Sequence, residues 1–348
     1  MKTNKDGGLD LLRLVFMLMV CVFNVLVVGG IERACTVHTL QYNVYYFLDA
    51  FALCAIDGFT MIYGYLAYKY FQRYEKIVEM WFQVIFYSLI LTLIFSLFGF
   101  HHLYLSEIPR NLLILTHNRY WYFSALFALA LISPILNKLI FSLDERSAKK
   151  VLIVIFVLFS CMSLISDPFT TEFGYSFIWV VVLYCIGGLI KKANLFENKK
   201  TFVLVIIWFG CIIFSYLAFI IRGRTLFLDF TSPTILLSAI LMVIIFSRIE
   251  FNNKVLSKAS SLALGIYFFQ LNPVIWNKIY NNLAGIVHFD IVKGTLSILL
   301  VAGGLFIGGL VVEFIRSGIA RMIQIPVLSK KIVLWINQLL DKIITVLN

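Results

Sequence analysis

The sequence predicts an all-α polytopic membrane protein with about ten transmembrane helices and with both termini in the cytoplasm. Hydrophobic residues make up 61% of the 348 residues. They are concentrated in ten apolar stretches, most of which approach the ~20 residues that a helix needs to cross a bilayer. These stretches are continuous rather than alternating, which favours helices over the strands of a barrel.

The ten stretches follow one another with short polar loops between them. The fifth, sixth, eighth and ninth are shorter than the rest, so we expect them to be tilted or packed inside the bundle. The stretches comprise residues 9–29, 45–68, 77–98, 120–140, 151–165, 177–190, 202–221, 232–246, 262–276 and 296–315.

Positive charge alternates from one loop to the next. If the amino terminus is cytoplasmic, 22 of the 29 Lys and Arg residues lie in cytoplasmic segments and 7 lie in outer loops. This asymmetry is the positive-inside pattern, and it predicts an even number of spans. It also explains the net charge of +11 without nucleic acid, because anionic headgroups of the inner leaflet attract the basic residues.

The domain organisation is one membrane domain, residues 7–315, followed by a different kind of segment at residues 327–347. Here apolar residues recur every three or four positions, with Trp335 among them and basic residues such as Lys331 mostly elsewhere. This periodicity predicts an amphipathic helix that lies on the inner leaflet in contact with membrane lipid. A short helix packed under the bundle is the alternative.

Two polar residues of the first stretch, Arg13 and Asn24, are candidate functional residues. They are eleven positions apart, which places them on nearly the same helix face about 16 Å apart along the axis. Polar groups in a span are costly, so each is a candidate by default. The alternatives are a snorkelling anchor for Arg13 and an interhelical hydrogen bond for Asn24.

The second stretch carries a deep carboxylate, Asp57. A carboxylate at this depth needs a partner, and Arg13, Arg119 and Arg222 are the candidate cations. Asp57 is therefore interpreted either as an acid or base or as one half of a buried ion pair that fixes helix register.

The outer ends of the fourth and seventh stretches predict a basic, aromatic pocket. Arg119, Tyr120 and Trp121 lie at one of these ends, and Arg222 and Arg224 lie at the other. Aromatic faces and guanidinium groups suit sugars and anionic glycan groups. Anchoring of aromatic residues at the membrane interface would explain Tyr120 and Trp121 equally well.

The ninth stretch contains two amides, Gln270 and Asn272, next to Pro273. They are further candidates for acceptor binding, although amides in a span usually satisfy neighbouring helices. No metal site is predicted, because the histidines of the loop at residues 99–119 do not have a spacing that specifies ligand geometry.

Several segments resemble those of the acyltransferase-3 family of membrane proteins. The matching motifs are residues 9–14 (LDLLRL), 120–125 (YWYFSA), 133–138 (SPILNK), 231–237 (TSPTILL) and 264–269 (LGIYFF). Residues 29–30 and 62–65 look like the branch found in Gram-positive polysaccharide clusters, which is related to the membrane half of vancomycin-resistance serine racemases. The resemblance covers residues 7–315.

This resemblance implies a membrane O-acyltransferase of the bacterial plasma membrane. Members transfer an acyl group, usually acetyl, from cytoplasmic acyl-coenzyme A to an extracytoplasmic glycan or lipid-linked sugar, such as a capsule or exopolysaccharide. The implied co-substrate is acetyl-coenzyme A, with no resident cofactor and with polysaccharide assembly machinery as a possible partner. The family's donor-side Arg falls on Arg13, its basic His falls on Asn24, and a second family His falls on Gln270.

The two amides in place of histidine leave three interpretations open. Another residue could be the base, with Asp57 the best available carboxylate. The protein could instead bind a glycan without catalysis, as an assembly partner or a degenerate relative. A transporter or flippase of lipid-linked sugar is the remaining alternative, against which the absence of paired broken helices counts.

Overall fold

The computed structural model describes residues 6–67, 74–99, 109, 120–222 and 227–347. Within these ranges the backbone forms helices and no strand, which confirms the all-α prediction. The α-helices are α1 (Gly7–Val27), α2 (Ile31–Ala34), α3 (Leu40–Ala52), α4 (Cys54–Ala67), α5 (Tyr74–Ile85), α6 (Leu91–Leu97), α7 (Trp121–Ser142), α8 (Glu145–Phe156), α9 (Phe177–Lys192), α10 (Thr201–Arg222), α11 (Pro233–Ser247), α12 (Lys254–Ser260), α13 (Ala263–Gln270), α14 (Pro273–Lys278), α15 (Ile291–Met322) and α16 (Ile325–Leu347).

Seven helical segments in the described part of the chain are long and apolar enough to cross a membrane. They are Gly7–Ala34, Leu40–Ala67, Tyr74–Leu97, Trp121–Ser142, Glu145–Leu164, Thr201–Ile221 and Ile291–Met322. The other three predicted stretches are also helical but shorter, because α9 has 16 residues, α11 has 15, and the ninth stretch is divided into α13 and α14. The count of ten spans and the orientation stay predictions.

The short helices lie in the centre of the bundle. Most residues of α9 and α11 are buried by protein, whereas α10 and α15 expose large apolar side chains along their length. A helix surrounded by other helices does not need to match the hydrocarbon thickness by itself. Hydropathy therefore located these elements, and burial explains why α9 and α11 are short.

Two polar contacts show which chain segments share one end of the bundle. Gly8 N donates to Ile249 O at 3.1 Å, and Ser260 Oγ donates to Asp10 Oδ1 at 2.8 Å. The start of α1, the end of α11 and the end of α12 therefore meet, and we call this the termini end. At the opposite end, the Gln41 side chain donates to the Phe289 carbonyl.

Helices α4 and α9 pack closely through glycine. A Cβ on Gly64 would collide with the Tyr184 carbonyl oxygen, and a Cβ on Gly187 would collide with the Met61 carbonyl oxygen. Small residues allow helix backbones to approach in a membrane bundle, where tight van der Waals packing drives association. This contact fixes α4, which carries Asp57, against α9.

We expect Gly187→Ala to destabilise the protein by about 1–3 kcal/mol, because the added methyl group overpacks the α4–α9 contact. Gly210→Ala in α10 is the matched control, since nothing lies within 4 Å of the position that its Cβ would occupy. Thermal unfolding in detergent micelles measures both variants. Equal melting temperatures for the two variants would contradict the packing assigned to Gly187.

The predicted amphipathic segment at residues 327–347 lies within α16, which packs against α5. Trp335 and Leu334 are 62% and 61% exposed, and Lys330 and Lys331 are also exposed. This mixture of exposed apolar and basic side chains is typical of an interfacial helix. Contact of α16 with lipid stays a prediction.

Candidate functional site

A cavity of about 440 Å³ lies among α1, α4, α7, α13 and α14. Its wall is mainly apolar, with three tyrosines, two tryptophans and two asparagines, and the described lining residues include no charged side chain. The volume is within the range of roughly 300–1,000 Å³ that is typical of small-molecule sites, which combine apolar walls with a few placed polar groups. The cavity is therefore the candidate site for a small ligand or a sugar ring.

Helix α1 contributes one stripe of the cavity wall. Met17, Val20, Asn24, Val27 and Val28 all line it, at spacings of three and four residues that keep side chains on one face. Since an α-helix rises about 1.5 Å per residue, the cavity extends about 16 Å along α1, with Asn24 about 6 Å from its outer limit. Asn24 is 6% exposed and lies on the cavity wall.

The mouth of the cavity is aromatic and lies toward the opposite end. Tyr175 and Trp276 are 45% and 37% exposed, and both line the cavity. The rings of Trp121 and Tyr175 pack with their centroids 5.2 Å apart. Trp121, predicted to bind an acceptor, and Asn24, predicted to be catalytic, thus face the same cavity.

Two titratable groups near the mouth have perturbed pKa values. Burial raises the pKa of Asp229, in the loop before α11, to about 6. Burial, together with the charges of Asp49 and Asp229, raises the pKa of Tyr175 to about 12. The Tyr175 hydroxyl is neutral at physiological pH, as an unperturbed tyrosine also is, and can donate a hydrogen bond to a ligand.

Arg13 does not line the cavity but lies one helical turn beyond Met17 toward the termini end. Its Nη1 donates to Asp10 Oδ1 at 3.1 Å, and the same carboxylate oxygen accepts from Ser260. The Arg13 side chain is 20% exposed. It can therefore present positive charge to an anionic group at the termini end while Asp10 holds its position.

Asp57 lies behind the cavity wall. It is fully buried, and Trp179 Nε1 donates to its Oδ1 at 3.0 Å, while its Oδ2 has no hydrogen-bond partner in the described part of the chain. Its neighbours Ile56 and Phe59 face the cavity instead. Of the three candidate cations, Arg13 pairs with Asp10 instead, Arg119 lies outside the described residues, and only the backbone of Arg222 is described. This geometry favours a structural role for Asp57 over the role of a base.

Asn272 and Gln270 are interhelical contacts rather than cavity residues. Both are fully buried. Asn272 Nδ2 donates to Tyr87 O at 2.8 Å and to Thr92 Oγ1 at 3.2 Å, and its Oδ1 accepts from Val274 N. Gln270 Oε1 accepts from the Tyr280 hydroxyl at 3.3 Å. Neither amide lines the cavity, and contact of these amides with an acceptor stays a prediction.

Asn272 joins the break between α13 and α14 to a π-helical turn, Phe86–Ile90, that follows α5. Such turns disturb the regular backbone hydrogen bonds, and Asn272 satisfies the Tyr87 carbonyl. Its neighbours Leu271 and Pro273 line the cavity. Asn272 thus holds one wall of the cavity in place without touching its interior.

We expect Asn272→Ala to reduce stability by about 1–3 kcal/mol, because it leaves buried backbone groups without partners. Asn282→Ala, at an exposed position whose amide donates only to Lys278 O, is the matched control. Thermal unfolding in detergent micelles measures both. A melting temperature for Asn272→Ala as high as that of the control would show that water replaces these bonds.

The remaining residues of the predicted outer pocket are Tyr120, Arg119, Arg222 and Arg224. Tyr120 is fully buried with its ring edge-on to Phe268, centroids 5.6 Å apart, and so does not line the cavity. Arg119 and Arg224 lie outside the described residues. Arg222 ends α10, and only its backbone is described. Of the two predicted aromatic residues, Trp121 lines the cavity and Tyr120 does not.

Sequence reasoning missed several residues of the site. Met17 and Val20 line the cavity on the stripe that Arg13 and Asn24 define, so the three-and-four spacing along α1 could have found them. Trp276 and Asn277 follow Pro273, where the ninth stretch is interrupted. Tyr267 faces the cavity from α13, but its sequence context does not distinguish it from a core tyrosine.

An all-helical bundle with seven potential spans and an internal cavity defines a polytopic membrane protein. Residues 6–315 match the family model described as an acyltransferase domain. Because this match covers most of the chain, the protein belongs to the acyltransferase-3 family. No curated protein and no solved structure matches the chain.

Proposed function

We propose that this protein is a membrane O-acyltransferase of the bacterial plasma membrane. It transfers an acyl group, in particular acetyl, from cytoplasmic acyl-coenzyme A to an extracytoplasmic glycan or lipid-linked sugar. The observation that carries the proposal is that the acyltransferase match spans the helices around a cavity lined by Asn24 and Trp121. The positive-inside pattern assigns the termini end to the cytoplasm.

The donor approaches from the termini end. Arg13 is a partly exposed cation there, and a guanidinium suits the phosphates of coenzyme A. The separation of about 16 Å along α1 between Arg13 and Asn24 suits a pantetheine arm that carries the thioester into the cavity. Arg13 is thus the proposed donor-binding residue, and the acyl group is delivered at the level of Asn24.

The acceptor occupies the aromatic mouth. The rings of Trp121, Tyr175 and Trp276 offer faces on which the apolar side of a sugar ring can pack. The amides of Asn24 and Asn277 can hydrogen-bond hydroxyl groups. This arrangement presents an acceptor hydroxyl to the thioester carbonyl carbon inside a site where few other polar groups compete.

In the proposed reaction, the acceptor hydroxyl oxygen attacks the thioester carbonyl carbon. The new C–O bond forms, the C–S bond breaks, and the hydroxyl proton ends on the sulfur of coenzyme A. Asn24 occupies the position of the family's basic histidine and can orient the hydroxyl by hydrogen bonding, but an amide does not titrate near neutral pH as an imidazole does. We therefore expect a low rate of acyl transfer.

The test is acetate analysis of the surface glycan in a deletion strain complemented with the wild-type gene or with Arg13→Ala. We expect deletion to remove an acetate ester, the wild type to restore it, and Arg13→Ala to restore it at least about tenfold less well, since a hydrogen bond to a charged group contributes about 1.5–3 kcal/mol. Lys149→Ala, which changes an exposed basic residue of α8, is the control. Unchanged acetate after deletion would refute the proposal.

A second candidate function is glycan binding without transfer, as an assembly partner. The observation that favours it is the uncharged cavity wall with an amide at position 24. In that case the surface glycan of an Asn24→Ala strain would match the wild type in acetate content, and the purified protein would bind the glycan without consuming acyl-coenzyme A.

A further inference from the structure

The floor of the cavity is formed by two side chains on neighbouring helices. Met17 is the lining residue of α1 nearest the termini end, and Phe59 is the corresponding residue of α4. Both are almost fully buried, at 2% and 3% exposed. One helical turn further toward the termini end, the same faces carry Arg13 on α1 and Tyr63 on α4.

The two polar residues beyond the floor, Arg13 and Tyr63, lie near each other. The Tyr63 hydroxyl lies close enough to Arg13 for the two groups to interact electrostatically. The ring of Phe59 packs edge-on against that of Tyr63, with centroids 5.6 Å apart. The α1–α4 contact is tight here, since a Cβ on Gly58 would collide with the Phe16 ring. A single layer of side chains therefore separates the cavity from Arg13.

We infer that Met17 and Phe59 form a constriction through which the acyl group reaches the cavity, and that Met17 determines how wide an acyl group is accepted. This inference rests on the proposed function, in which the donor enters from the termini end. Methionine is unbranched and has three rotatable bonds, so it can move aside for a narrow chain. Phe59 is held more firmly by its contact with Tyr63. An unbranched acyl group passes such a constriction, and an acyl group branched next to its carbonyl does not.

The first experiment compares transfer from acetyl-coenzyme A and from isobutyryl-coenzyme A by the wild type, Met17→Ala and Met17→Leu. Leucine has nearly the volume of methionine, so the Met17→Leu variant controls for the substitution itself. We expect the wild type and Met17→Leu to prefer acetyl, and Met17→Ala to reduce that preference by about 10–200-fold, the range for one methylene group in an apolar pocket. An unchanged preference in Met17→Ala overturns the inference.

The second experiment is independent of catalysis. Met17→Cys is treated, in oriented proteoliposomes, with a small charged methanethiosulfonate reagent added at the opposite end, and the reaction is repeated with desulfo-coenzyme A at the termini end. We expect labelling through the cavity that falls at least about tenfold when the coenzyme A analogue fills the constriction. Cys21 is fully buried on the same helix and does not line the cavity, so it serves as the internal control.

Absence of labelling at position 17, or labelling that the coenzyme A analogue does not reduce, overturns the constriction. Failure of the proposed function has a different signature, since the wild type would then transfer no acetyl group at all. Labelling at position 17 without protection, in a protein that does transfer acetyl, would place the donor route elsewhere in the bundle.

Discussion

Histidine at position 24 should increase the rate of acyl transfer by about 10²–10⁴-fold, the usual contribution of a positioned general base. Asn24 lines the cavity, and an imidazole there can take the proton of the acceptor hydroxyl, because its pKa lies near neutrality. The measurement is kcat with acetyl-coenzyme A for purified wild type and Asn24→His across pH 5–8. The variant should gain activity as the pH rises through about 6.5.

The matched control for Asn24→His is Val20→His, one turn deeper on the same stripe of α1. This variant places an imidazole in the cavity about 6 Å from the proposed position of the acceptor hydroxyl, so it should not raise kcat. Equal rates for wild type and Asn24→His would mean that position 24 does not face the reacting hydroxyl.

Glu313→Ala should reduce stability by about 3–5 kcal/mol, because it removes one partner of a buried ion pair. Arg316 binds the Glu313 carboxylate through two nitrogens, with Nη2–Oε1 at 2.7 Å and Nε–Oε2 at 2.8 Å. The Tyr87 hydroxyl also donates to Oε2 at 2.9 Å. Glu313 is 2% exposed and packs on Gly265, so the carboxylate links α15 to the π-helical turn and to α13.

Unfolding of purified Glu313→Ala in mixed detergent micelles, followed by circular dichroism, measures this loss. The control is Lys149→Ala, which breaks an exposed ion pair with Glu145 and should leave the unfolding midpoint unchanged. A midpoint for Glu313→Ala within error of the control would contradict the assignment of the Glu313 carboxylate as the group that links α15 to the π-helical turn and to α13.

The sequence predicted where the helices lie because lipid imposes length and continuity on apolar segments. It did not predict which helices are neighbours. The close approaches of Gly64 to Tyr184 and of Gly187 to Met61 join residues at least 120 positions apart, and hydropathy carries no information about such pairs. Only Pro273 indicated the helix break at Asn272. A proline shows that a helix is perturbed, but it does not show which residue satisfies the backbone groups near the break.

For the candidate site, the eleven-residue spacing predicted that Arg13 and Asn24 share one face of α1, and the stripe between them lines the cavity. The partner of Asp57 was not predictable, because Trp179 is 122 residues away and its sequence context indicates only a core or interface tryptophan. Acceptor binding by Asn272 stays a prediction. Its contacts with Tyr87 and Thr92 were not predictable from the sequence, because these residues lie more than 170 positions away.

Acyl transfer between the two membrane faces is measured with purified protein in liposomes of known orientation, with radiolabelled acetyl-coenzyme A supplied on one face and a glycan acceptor on the other. We predict that label reaches the acceptor only when the donor is on the face of the termini end, and that Arg13→Ala reduces this transfer at least about tenfold. Transfer from a donor on the opposite face, or glycan binding with no transfer from either face, would contradict the proposed acyl transfer.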